Sequence, residues 1–291
     1  MTKRLKWIDV LKGLGIILVV LGHAGVNKSM FKYIFSFHMP LFFFVSGYLF
    51  SSNRYPKFWG FLKARVRSIL VPYVTFSIIS IVCYYTLPYL GKLKQFNISS
   101  IFSVFIISKR NEIFYNVPIW FLTSLFIAQI VYYFIDKYVE DTESKLIILL
   151  IIGYVGGIKL NAWGSIRVLP WSINTTMWYL LYYGIGNIIS SKEYKDLNYN
   201  KYVLFGFLSI IQLLLLFSPS TYQSITKYVV LVFKHSLGII VYTYLAFFIF
   251  KNKYLEYLGR NSLIIFALHK PFAFRILNVL FYKLGIPKMN H

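Results

Sequence analysis

The chain has 291 residues, 58% of them hydrophobic and 20% aromatic, with 14% charged residues and a mean hydropathy of +0.62. A soluble domain carries about a quarter charged residues, and a chain of this length has no core large enough for so much apolar surface, so lipid is the solvent for much of it. The formal net charge of +22 excludes no membrane role and marks no nucleic-acid partner, because the Lys and Arg sit in short clusters between apolar runs, where they set orientation and meet anionic lipid.

Crossing ~30 Å of hydrocarbon takes roughly 17 to 25 apolar residues. Nine segments are read as spans: 8–26, 33–51, 68–90, 118–137, 145–160, 170–190, 202–218, 227–250 and 262–282. The first has the basic flank of a signal peptide in Lys3, Arg4 and Lys6. Asp9 and Lys12 at its mouth, and a second span close behind, make it a retained helix instead. In the second, Pro40 is placed to open a helix at its first turn. Residues 98–108 are too short to cross and suit an interfacial or re-entrant piece. The fifth span is short, and the eighth contains Lys234 and His235.

The expected architecture is an all-α polytopic membrane bundle of about nine to ten transmembrane helices, forming a single domain over 1–291. With the N-terminus inside, the inner segments hold sixteen Lys and Arg and the outer segments eleven. The densest inner cluster spans 54–67, which favours a cytoplasmic N-terminus. Cys83 stands alone, so no internal disulfide forms, and its apolar surroundings fit an inert thiol. Five histidines on distant segments, with one acid at membrane depth, give no metal centre. Asn97 and Asn174 begin triplets of the glycosylation pattern, which arise often by chance.

Chemistry concentrates on the first span. Of the nine acids, eight fall in expected loops or at their edges and Asp9 is the exception; ionisable groups at membrane depth are functional candidates by default. At 100° per residue, Asp9, Lys12 and His23 lie within about 60° of one another on a helical wheel. Height separates them: Lys12 to His23 is roughly 16 Å along the axis and Asp9 to His23 about 21 Å. An unbroken helix therefore forbids an Asp9–His23 dyad and points Asp9 to Lys12 or to a loop arginine. His38 heads the next span and approaches the same outer boundary as His23; it acts with His23 or only caps its helix. His269 reads equally as a packing residue or part of an acceptor site, while His235, with no motif around it, reads as structural.

The segments WIDVLKGLGIILVVLGHAG (7–25) and FSFHMPLFFFVSGYLF (35–50) resemble the signature of the acyltransferase-3 family. They come nearest its branch of fucose 4-O-acetylase-like and polysaccharide O-acyltransferase-like members. A basic residue, ten intervening residues and a histidine form the family hallmark; Lys12 and His23 match that spacing, with Lys12 where Arg is commoner. Shorter stretches, ARVRSILVPY (64–73), PIWFLTSLF (118–126) and GRNSLIIFALH (259–269), continue the resemblance in order.

The resemblance implies transfer of an acyl group, acetyl before succinyl, from an acyl-CoA co-substrate to a sugar hydroxyl of a bacterial surface polysaccharide or lipid-linked glycan. No cofactor is tightly bound. His23 is then the general base, or becomes transiently acylated, with His38 and Asp9 as further catalytic candidates. Lys12, Arg65 and Arg67 are the candidates for the polyanionic nucleotide, although Arg65 and Arg67 equally fit ordinary positive-inside residues. The family has about ten spans, so the nine read here leave the architecture after 282 open. The reading from another class is an exporter of a surface polysaccharide, which internal repeats or paired broken helices would favour; neither is detected.

Overall fold

A computed structural model of the chain describes residues 4–86, 98–108, 113–160, 169–191, 201–215 and 224–284, and every regular element among them is helical. In chain order these are α1 Lys6–Gly22, α2 Lys28–Phe35, α3 His38–Tyr48, α4 Phe58–Thr86, α5 Ile98–Ile107, α6 Trp120–Tyr138, α7 Thr142–Tyr154, α8 Ile173–Ser190, α9 Lys201–Leu214, α10 Ser224–Phe248, α11 Lys253–Arg260 and α12 Ser262–Lys283. Among the described residues, four helices are long and apolar enough to cross a membrane by themselves: Phe58–Thr86, Val117–Tyr138, Ile225–Phe248 and Ser262–Lys283. Large apolar side chains on α4, α9 and α10, including Val71, Ile78, Val203, Phe207, Ile225 and Phe233, are exposed, as lipid-facing residues are.

Two expectations change, and a third holds. The span expected at 33–51 is not one helix: α2 ends at Ser36, whose hydroxyl donates to Tyr33 O at 2.7 Å, and Phe37 leaves helical geometry with φ −148° before α3 begins. The 11 residues of α3 rise about 16 Å, roughly half the hydrocarbon thickness. The basic segment expected as a loop before residue 68 is helical, because α4 starts at Phe58 and Lys and Arg are good helix formers. Arg65 and Arg67 therefore project from a helix. The 98–108 piece is a ten-residue helix, α5, about 15 Å long and too short to cross. The ends of two expected spans at 87–90 and 216–218, the Asn97 triplet and everything after 284 lie outside the described residues.

Two long helices carry π turns beside prolines. In α4 the turn Val66–Leu70 precedes Pro72, and in α12 the turn His269–Phe274 contains Pro271. Proline supplies no N–H and crowds the preceding carbonyl, and the wider turn absorbs both defects without ending the helix.

The interior is held by close backbone contacts and buried amides. A Cβ on Gly47 of α3 would lie 1.8 Å from Tyr183 O of α8, and one on Gly259 of α11 would lie 1.7 Å from Asp9 O of α1. Only glycine permits those approaches, the small-residue packing of membrane helices. Asn187 of α8 closes the end of α3: its Nδ2 donates to Phe50 O at 3.0 Å and its Oδ1 accepts from Tyr132 OH at 2.9 Å. A carbonyl left over at the end of α3 is thereby satisfied away from water. Phe50, Phe61, Tyr132 and Tyr183 pack around this join.

Candidate active site

The two ends of α1 are built differently. At its start, Asp9 is 3% exposed and carries an ion cluster. Its Oδ2 accepts from Arg4 Nε at 2.5 Å, its Oδ1 lies 2.8 Å from Lys12 Nζ, and Arg260 Nε approaches to 3.9 Å. Glu256 takes the other side of Arg260. The helix supplying that arginine, α11, is started by Asn252, whose side chain accepts from Leu255 N at 3.0 Å. Gly259 then lets α11 lie directly on α1 and brings Arg260 to the acid. Three cations thus meet two carboxylates at this end, leaving it positive.

At the other end, His23 is the C-cap residue of α1. Its Nδ1 lies 2.8 Å from Val19 O. A carbonyl oxygen only accepts, so Nδ1 carries the hydrogen and, in the neutral ring, Nε2 carries the lone pair. Gly25, at φ 79°, turns the chain back just beyond. The same local bond recurs in two other histidines. His38 Nδ1 lies 2.8 Å from Ile34 O, and His269 Nδ1 lies 2.8 Å from Phe266 O. In each, the basic nitrogen is Nε2.

The structure brings His269 to His23. Their rings are 5.2 Å apart between centroids and inclined by 64°, and His269 Nε2 is buried with no hydrogen-bond partner among the described residues. Phe35 stands between the other two, 5.8 Å from His23 and 4.6 Å from His38. A cavity of about 510 Å³ opens beside His23, with Phe31, Phe35, Val26 and Lys270 on its walls. His38, 2% exposed, is packed behind it. The catalytic candidates His23, His38 and Asp9 consequently do not form one cluster: Asp9 belongs to the opposite end of α1, as the rise along an unbroken helix requires.

The nucleotide-binding candidates divide as well. Lys12 pairs with Asp9. Arg65 donates to Tyr55 OH at 3.1 Å and Gln129 Oε1 at 3.3 Å, and lies 5.5 Å over the rings of both Tyr55 and Phe61. It ties α4 to α6 and to the segment before α4. Arg67, two residues on, is exposed. From the sequence, His269 reads as packing or acceptor-site and Arg260 only as one of the inner basic residues; both lie in the GRNSLIIFALH segment, whose course along α1 is visible only in three dimensions. His235 is a structural histidine, with Nδ1 2.8 Å from Tyr182 OH and its ring edge-on to Trp178. No group of three His, Cys, Asp or Glu among the described residues is arranged to hold a metal ion.

A family model described as an acyltransferase domain matches residues 5–290. No curated protein and no solved structure matches the chain.

Proposed function

The chain belongs to the acyltransferase-3 family, and from that membership we propose that it is an O-acyltransferase of the bacterial inner membrane, acting on a sugar hydroxyl of a surface polysaccharide or lipid-linked glycan. The donor in this reading is an acyl-CoA co-substrate, with acetyl ahead of succinyl. In this reading the N-terminus is cytoplasmic, so the Asp9 end of α1 lies on the side where acyl-CoA is made.

The observation that carries the reading is the tautomer of His23. Its Nδ1 donates to Val19 O, so in the neutral ring the lone pair is on Nε2, and a cavity of about 510 Å³ opens beside the residue. A positioned base of this kind contributes about 10²- to 10⁴-fold to a rate. The acceptor hydroxyl gives its proton to Nε2 as its oxygen bonds to the thioester carbonyl carbon. The carbon–sulfur bond then breaks, and the thiolate takes the proton back from the imidazolium to leave as CoA thiol. His269, ring against ring with His23, is a positioning residue, and His38 supports the wall through Phe35.

Asp9 acts at a distance from this chemistry, as the carboxylate that gathers Arg4, Lys12 and Arg260. Phosphate groups of a nucleotide suit that positive mouth, where arginine offers paired donors. Arg67, exposed on α4, is a further candidate for the nucleotide, whereas Arg65 is already held by Tyr55 and Gln129. The rise of α1 between the two ends, roughly 16 Å from Lys12 to His23, accommodates an extended pantetheine arm.

The test is transfer of radiolabelled acetyl from acetyl-CoA to surface glycan by membranes containing the protein. Glycan labelling that depends on the protein supports the reading. Sugar flux into vesicles without acyl-CoA, and no labelling, replaces it with the exporter.

A further inference from the structure

A second cavity, of about 210 Å³, shares Lys270 as a wall with the cavity at His23. Its lining includes the rings of Tyr84 and Phe114, the amides of Asn116 and Asn278, and Arg275. The rings of Tyr84 and Phe114 meet edge-on at 5.1 Å. Arg275 braces the wall: its guanidinium lies 4.6 Å over the Tyr84 ring and Nη1 donates to Cys83 O and Tyr84 O at 2.8 and 2.7 Å.

Asn116 is the informative residue. It is 1% exposed, and its Nδ2 donates to Ser80 Oγ and to Ala267 O, both at 2.9 Å. The Ala267 carbonyl has no proton to give, so the NH₂ side of the amide faces it and a flipped amide is excluded. That leaves Oδ1 buried with no hydrogen-bond partner among the described residues. An orphaned buried acceptor costs about 1–3 kcal/mol, and a ligand hydroxyl removes that cost. Lys270, at the boundary of the two cavities, has no ion-pair partner among the described residues.

We propose that this second cavity is the acceptor subsite and takes one sugar ring, with a ring hydroxyl donating to Asn116 Oδ1 and Lys270 standing at the passage to His23. The inference rests on the acyl-transfer reading of His23. Aromatic faces for the apolar side of a pyranose and amides for its hydroxyls are the chemistry of carbohydrate binding. The volume falls below the ~300–1,000 Å³ of drug-sized sites, so a single ring fits and the rest of a glycan remains outside. At the passage, the hydroxyl oxygen bonds to the thioester carbonyl carbon while its proton passes to His23. The Lys270 ammonium offsets the negative charge gathering on the carbonyl oxygen, until the carbon–sulfur bond breaks and its electron pair leaves on sulfur.

The experiment measures transfer from acetyl-CoA to surface glycan extracted from cells lacking this gene, with purified protein in lipid nanodiscs. Asn116→Ser is expected to raise the apparent KM for glycan about tenfold, the loss of one buried hydrogen bond. Lys270→Gln is expected to lower kcat about a hundredfold. Both should leave the KM for acetyl-CoA unchanged. A folded N116S with an unaltered glycan KM, or a K270Q that shifts the acetyl-CoA KM or leaves kcat intact, overturns the proposal. If N116S loses its bonds to Ser80 and Ala267 and fails to fold, K270Q decides alone. Wild-type protein that labels no glycan removes the acyl-transfer reading, and this inference with it.

Discussion

The imidazole rings of His23 and His269 stand 5.2 Å apart, tilted by 64°, at one end of a pair of helical segments whose other end is fastened at Asp9 and Gly259. Both rings spend Nδ1 on a backbone carbonyl one helical turn back. Their separation from one another is therefore set by backbone packing, and a small shift at Gly259 moves His269 relative to His23.

Replacing His269 with Gln removes the ring that packs against His23 while keeping a similar side-chain length. Acetyl transfer should fall about tenfold in kcat, part of the 10²- to 10⁴-fold due to a positioned base, with the acetyl-CoA KM unchanged. Steady-state kinetics on purified H269Q decides it. Wild-type kcat would show that the ring contact is packing alone.

Gly259→Ala places a methyl group 1.7 Å from Asp9 O, whereas Gly60→Ala on α4 meets nothing within 4 Å. G259A should lose at least the ~1–3 kcal/mol of an overpacked core, with the ion cluster disturbed as well. G60A should be neutral or gain up to about 1 kcal/mol from helix propensity. Thermal unfolding in detergent micelles compares the two.

Asp9→Asn leaves Arg4, Lys12 and Arg260 facing one another without their shared carboxylate. Arg4 and Arg260 are about half exposed, so water screens much of the repulsion, and the expected loss is about 1–3 kcal/mol, less than for a fully buried pair. The apparent KM for acetyl-CoA should rise as the cluster spreads. A folded D9N with a normal KM but kcat lowered a hundredfold would instead make Asp9 part of the chemistry.

Arg65 and Arg67 should part company under mutation. Arg65→Lys cannot keep both the forked bonds to Tyr55 and Gln129 and the stacking on Phe61, so it should cost about 1–2 kcal/mol of stability. Arg67→Gln, at an exposed position, should change stability by no more than about 0.5 kcal/mol yet raise the acetyl-CoA KM. Unfolding curves and donor titrations on the two single variants separate the effects.

Much of this was legible in the sequence. Composition and hydropathy pointed to an all-helical membrane protein, though not to the number of its spans, and 3.6-residue geometry alone separated Asp9 from His23 along α1. The break at Ser36–Phe37 was half legible: Pro40 marked a helix start near His38, yet the apolar run 33–51 still read as one span, because periodicity does not distinguish one long buried helix from two short ones. The helical state of residues 58–67 was hidden because charge was read as a loop signal, although Lys and Arg favour helices. His269 and Arg260 reach α1 only through a tertiary contact made possible by Gly259, and no local pattern reports which distant segment a glycine touches. The partners of Arg65 were likewise invisible, since Tyr55 and Gln129 carry no mark of it in sequence.

The central claim is that His23 Nε2 takes the acceptor proton, and His23→Ala tests it most directly. Membranes carrying H23A at wild-type abundance, with thermal stability intact, should transfer acetyl from acetyl-CoA to surface glycan at least about 10²-fold more slowly than wild type, while binding acetyl-CoA with unchanged affinity. An H23A protein that labels glycan at the wild-type rate would contradict the account.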